Sequence, residues 1–116
     1  MKTIKELKQE SNLATVITDH QGFITFVNKS FENIFGWKSS EILGKPLTII
    51  IPQTLQNAHH LGFSRFLATG QPTLINKPLK LKAVKKDGIE FESEHIIFAE
   101  QENGNWIFGA TISPIT

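Results

Sequence analysis

Two adjacent histidines interrupt the stretch IPQTLQNAHHLGFSRFLATG, residues 51–70, whose other periodic positions are apolar. On a helix advancing about 100° per residue from His59, Leu55 falls about 40° to one side, Phe63 about 40° to the other and Phe66 about 20° away. His59 is therefore centred on the apolar face, while His60, about 100° round, lies at its flank and reads as a surface residue. A ring in the position of His59 has two readings. It is a ligand presented to a bound group, or a core imidazole hydrogen-bonded to a backbone carbonyl. The remaining histidines offer less: His20 sits in turn chemistry and His95 within a strand, neither with an Asp or Ser at a spacing that makes a triad. Asp19, Glu32, Glu41, Asp87, Glu90, Glu92 and Glu94 fall at turns and on wet faces in no arrangement that recommends acid–base work, so no enzyme is expected. The chain has no cysteine, which excludes disulfides, thiolate metal sites, cysteine nucleophiles and cofactors tethered through a thiol.

The elements that must position His59 follow from periodicity and punctuation. LATVITD and FITFVN, separated by HQG, read as a β-hairpin over residues 13–28. NKSFENIFGW spaces Phe31, Ile34 and Phe35 as a short helix that Asn28 caps and Gly36 ends. SSEILGKPL repeats the device, with Ser39 or Ser40 as cap and Gly44 as stop. The helix holding His59 begins near Pro52 or Gln53 and ends at Gly70. Leu79, Leu81 and Ala83 then alternate with Lys80 and Lys82 in a strand that Pro78 assigns to an edge or a bulge. KKDG and QENGN separate two further strands, IEFESEHIIFAE and WIFGATIS. Ahead of all this, residues 1–12 form a leader in which Ile4 and Leu7 mark a weak amphipathic helix, able to pack on the domain or to pair with a second copy.

A chain of 116 residues, 40% hydrophobic and 20% charged, supports one core, so residues 13–116 are expected to form a single α+β domain. The formal charge of +1 gives no reason to expect nucleic acid or a membrane surface as partner. No stretch approaches about 18 apolar residues and the start is too polar for a secretory signal, which reads as cytoplasmic.

The order of a hairpin, short helices, one longer helix and a three-strand meander resembles the PAS sensory fold over residues 13–116. Asp19, Gly22, Asn28, Gly36, Trp37, Glu41, Gly44 and Lys45 occupy the places of the family's opening motifs, and KKDGIEFESE resembles its basic-basic-Asp-Gly hairpin. The resemblance implies a five-stranded antiparallel sheet with three or more short helices packed on one face and a small-ligand pocket between them. Within the family, a subset of gas and redox sensors binds heme b through a histidine on the long helix, and IPQTLQNAH resembles that helix with His59 at the ligand position. Leu55, Phe63 and Phe66 would then wall an apolar slot. The resemblance places Leu79 where oxygen sensors carry a distal arginine; leucine cannot donate, so bound oxygen would lack polar support. Lys77, nearby, reads as a solvated lysine. Non-covalent flavin, with Trp37 or Trp106 as a stacking surface, an unknown small ligand or none at all are the other candidates. Flavin and thioester chromophores bound through cysteine are excluded.

The family usually closes with Asp-Ile-Thr, joining the domain to an effector; here the chain closes SPIT, with Pro114 in the aspartate's place. That ending reads as a sensor from a longer chain or as a small stand-alone protein, with its output in an effector or signalling partner. A homodimer is expected through Ile4, Leu7 and an uncovered sheet face. The alternative function is a ligand-free PAS module for dimerisation or protein interaction.

Overall fold

The computed structural model describes residues 3–56 and 78–115. Five strands, β1 (Ala14–Thr18), β2 (Ile24–Val27), β3 (Leu79–Val84), β4 (Glu90–Glu102) and β5 (Asn105–Pro114), form one antiparallel sheet in the order β2-β1-β5-β4-β3. The last strand thus lies beside the first, and the edges are β2 and β3. Pro78 immediately precedes the edge strand β3, where its missing N–H costs no ladder bond. Glu102 pairs with Asn105 across the Asn103-Gly104 turn, both of whose residues have positive φ, as a tight two-residue hairpin demands.

Period-two alternation decides which layer each strand residue enters. Ala14, Val16, Val27, Ala83 and Ile112 face the helices α2 (Lys29–Phe35) and α3 (Ser39–Ile42) and a 3-10 turn over Leu47–Ile50. Phe31 and Phe35, one turn apart on α2, stack at 4.3 Å between centroids, and Phe35 meets Phe91 of β4 at 5.4 Å. Asn28 caps α2 as its sequence position predicts, accepting from Phe31 N at 3.0 Å, and Gly36 closes it in the left-handed conformation at φ 79°. The expected serine cap of α3 is displaced by one residue. Lys38 takes the cap position, its amide donating to Glu41 Oε1 at 2.9 Å, while the Ser39 amide donates to Glu32 Oε2.

The opposite face of the sheet carries a second, smaller cluster. The leader forms one helical turn, α1 (Ile4–Leu7), shorter than the expected leader helix, and lays Ile4 (6% exposed) and Leu7 (0%) on Ile17 and Phe98. Gly109 of β5 makes room: a Cβ there would lie 2.5 Å from Leu7 Cδ1. The Ile4 amide donates to Glu100 Oε2 at 3.2 Å, fixing the start of the turn. Of the two roles expected for Ile4 and Leu7, packing on the domain and pairing with a second copy, the structure shows the first. The physical reason is that β5 supplies a groove one residue wide, which no pattern in the leader announces. No described helix is long and apolar enough to cross a membrane.

Candidate ligand face of the sheet

The β4 sequence FESEHII sets Phe91, Ser93, His95 and Ile97 in one phase. Because Phe91 belongs to the core under the helices, Ser93 and His95 face inward with it. Cross-strand register puts Leu79 of β3 opposite His95 on one side and Ile112 of β5 opposite it on the other. His95 is 9% exposed as a residue. Its Nε2 lies 2.7 Å from Ser93 Oγ, and Ser93 Oγ lies 2.8 Å from the Leu81 carbonyl oxygen. A carbonyl only accepts, so the serine hydroxyl donates to Leu81 and can only accept from the ring, and Nε2 carries the proton. Desolvation lowers the His95 pKa from 6.5 to about 4, which keeps the ring neutral at physiological pH. The spacing along the chain suggests no triad at His95, and Ser93 pairs with the ring without making one. Two residues apart on a strand is one face, and the alternation of FESEHII carries the signal. The hydroxyl proton is committed to Leu81, so the pair orients the ring rather than activating the serine.

Around His95 the inner face is apolar, and the described residues cover it incompletely. Leu79, Ile97, Ala99, Phe108 and Ala110 are half-buried, and Leu81 is 39% exposed, although all point to the side on which β1 is sealed. Of the residues expected at the site, Leu79 sits on this face beside His95, as a side chain with no donor. Leu55 is half-buried in the helical start that follows Pro52, where Gln56 Nε2 ties the turn to the carbonyls of Thr48 at 3.2 Å and Ile51 at 3.1 Å. His59, Phe63 and Phe66, with His60, Arg65 and Lys77, lie outside the described residues. No group of three or more metal-ligating side chains gathers among the described residues.

Trp37 has the core role open to it in the sequence. It packs on the inner cluster, with the Lys86 ammonium over its ring at 5.3 Å. Lys86 also donates to Glu41 Oε2 at 2.6 Å, and this bond, with the Lys38 amide, holds the Glu41 carboxyl below the usual carboxylate range. Two solvent-open hollows on the described surface lie elsewhere: one of about 230 Å³ beside His20 and Glu102, and one of about 510 Å³ between Phe35 and Lys85.

A five-stranded antiparallel sheet in this order, with helices on one face and a short leader on the other, defines an α+β fold, and the comparisons give it its family. The PAS domain family model matches residues 12–115, and the chain belongs to that family. An uncharacterized protein of Azorhizobium caulinodans is 31% identical over 104 residues, 89% of this chain and 14% of the relative. Sensor protein FixL of Bradyrhizobium diazoefficiens is 26% identical over 91 residues, 78% of this chain and 18% of the relative. The chain spans less than a fifth of the length of either. Among solved structures, the PAS domain of a Colwellia psychrerythraea protein shares the fold at a TM-score of 0.72 with 20% identity, covering 89% of this chain and 86% of that one.

Proposed function

We propose that this PAS domain is a signal-sensing module that takes a small apolar ligand against the inner face of its sheet and relays occupancy to an effector or a signalling partner outside these residues. One observation carries the reading: the inward side of β3, β4 and β5 holds apolar side chains that the fold leaves half-buried, around a buried neutral histidine. An inner face with no ligand to receive would be expected to seal as β1 does, since each apolar Å² removed from water contributes roughly 25 cal/mol. Binding rather than reaction is the proposed activity. Asp19 Oδ1 accepts the Gln21 and Phe23 amides at 2.9 and 3.0 Å, Asp87 Oδ1 accepts the Ile89 amide at 3.0 Å, and Glu32 and Glu41 hold the start of α3, so these carboxylates serve turns and caps.

Heme b is the cofactor that the helix motif implies. The described wall fits one face of a porphyrin in being apolar at Leu79, Leu81 and Ile97, and the resemblance of the helix motif points to His59 as the residue that would hold the iron. A bound heme supplies an iron centre responsive to gas or redox state. Purified protein titrated with hemin is expected to develop a Soret band that His59→Ala abolishes and His60→Ala preserves. Absence of the band would remove heme and leave a colourless ligand or non-covalent flavin. Failure of every small-molecule screen against the inner face would favour the ligand-free interaction module.

A further inference from the structure

We infer that His95 determines ligand specificity on the inner face: its Nδ1 accepts a hydrogen bond from the ligand and so selects small apolar molecules that carry one N–H or O–H donor. This rests on the reading of the inner face as the ligand site. The Leu81 carbonyl fixes the Ser93 hydroxyl, the hydroxyl fixes the proton on Nε2, and the lone pair is left on Nδ1 at the other edge of the ring. No described residue donates to Nδ1, and His95, 9% exposed as a residue, has Leu79 and Ile112 opposite it on the neighbouring strands. A ligand N–H or O–H would satisfy that lone pair, and the strand residues opposite the ring, Leu79 and Ile112, are hydrocarbon and offer no donor. Neutrality of the ring, maintained by desolvation, keeps that lone pair available at physiological pH.

The chemistry of the complement follows. A carboxylate or phosphate would meet an acceptor with an acceptor, and a donor-free hydrocarbon would bury Nδ1 unpaired. A flat molecule with one N–H or O–H satisfies the ring and lays its remainder on Leu79, Leu81 and Ile97.

The test uses the full chain, with indole and its donor-free isostere indene as probes, followed by ¹⁵N spectra of the histidine side chains. In the free protein at neutral pH, His95 should show a protonated Nε2 and a bare Nδ1; the reverse tautomer overturns the proposal before any ligand is added. Indole should bind about tenfold more tightly than indene and shift the Nδ1 resonance. His95→Phe should abolish the preference, so that indole and indene bind alike, and His95→Gln, which keeps an acceptor oxygen, should retain part of it. Equal binding of the two probes by the unsubstituted protein, or a preference that survives in His95→Phe, overturns the role of His95 while leaving the inner face as a ligand site. Binding of neither overturns both.

Discussion

Burial of the His95 ring ties the stability of the domain to pH. The folded pKa of about 4 lies below the ordinary 6.5, so between those values the unfolded chain takes up a proton that the folded one does not. The contribution is fully present above about pH 6.5 and is lost as pH falls toward about 4, at most roughly 3.5 kcal/mol at about 1.4 kcal/mol per unit. Urea unfolding at pH 7.5 and 4.5 should show this loss, and His95→Gln should flatten it. An equal pH dependence in both proteins would place the ring in solvent. Glu32 and Glu41, whose pKa values are lowered by the Ser39 amide and by Lys86 respectively, lose their contribution below pH 4.5, so their window follows that of the histidine. At this scale the sequence was half legible. FESEHII announces that Ser93 and His95 share the phase of Phe91, but the tautomer depends on a carbonyl twelve residues away.

Asn28 joins three elements. Its Oδ1 accepts the Thr15 amide of β1 at 2.9 Å and the Phe31 amide of α2 at 3.0 Å, while Nδ2 donates to the carbonyls of Glu10 at 2.9 Å and Leu13 at 2.8 Å. Every donor and acceptor of the amide is used, so one side chain fixes the leader's exit, the first strand and the first core helix relative to one another. Asn28→Ala is expected to destabilise by roughly 2 to 3 kcal/mol, the cap and the stranded backbone groups together. Asn28→Asp, which keeps the cap but not the two donors, should recover part of this. Chemical denaturation of the two variants measures the division. A loss below about 1 kcal/mol in Asn28→Ala would mean that water replaces the amide. The cap on α2 was predictable from NKSF; the grip on Glu10 and Leu13 was not, because it depends on where the leader returns.

For the whole molecule the distinctive feature is a sheet with both faces in use. Gly109 is the seat of the leader: its Cβ position lies 2.5 Å from Leu7 Cδ1 and 3.2 Å from Ile4 Cδ1, both belonging to buried side chains. Gly109→Val should cost about 1 to 3 kcal/mol in the full chain, as overpacking does. In a chain lacking residues 1–11 the same change should be neutral or stabilising, because valine suits a strand better than glycine once nothing lies on it. A thermodynamic cycle over the two changes measures the coupling, and simple additivity would mean that the leader is not seated there. Removing the leader also uncovers Ile17 and Phe98, with Phe26, Ile96 and Ile107 around them. The truncated chain should therefore self-associate more than the full one in sedimentation, the reverse of what a leader-mediated dimer requires.

Local chemistry settled by the sequence includes the β1–β2 hairpin, the asparagine and glycine that bound α2, and the alternating meander, since capping, φ and period-two burial are properties of neighbours along the chain. Taken together, these elements and their motifs also pointed to the family. Only the tertiary structure decided that α1 covers its own sheet through Gly109, that the 3-10 turn follows Pro46, and that Leu79 stands opposite His95. Those facts depend on the order β2-β1-β5-β4-β3, in which β1 pairs with a strand more than ninety residues later. Pairing at that separation is fixed by the joint burial of two faces, which is a property of the packed whole and not of any stretch of residues.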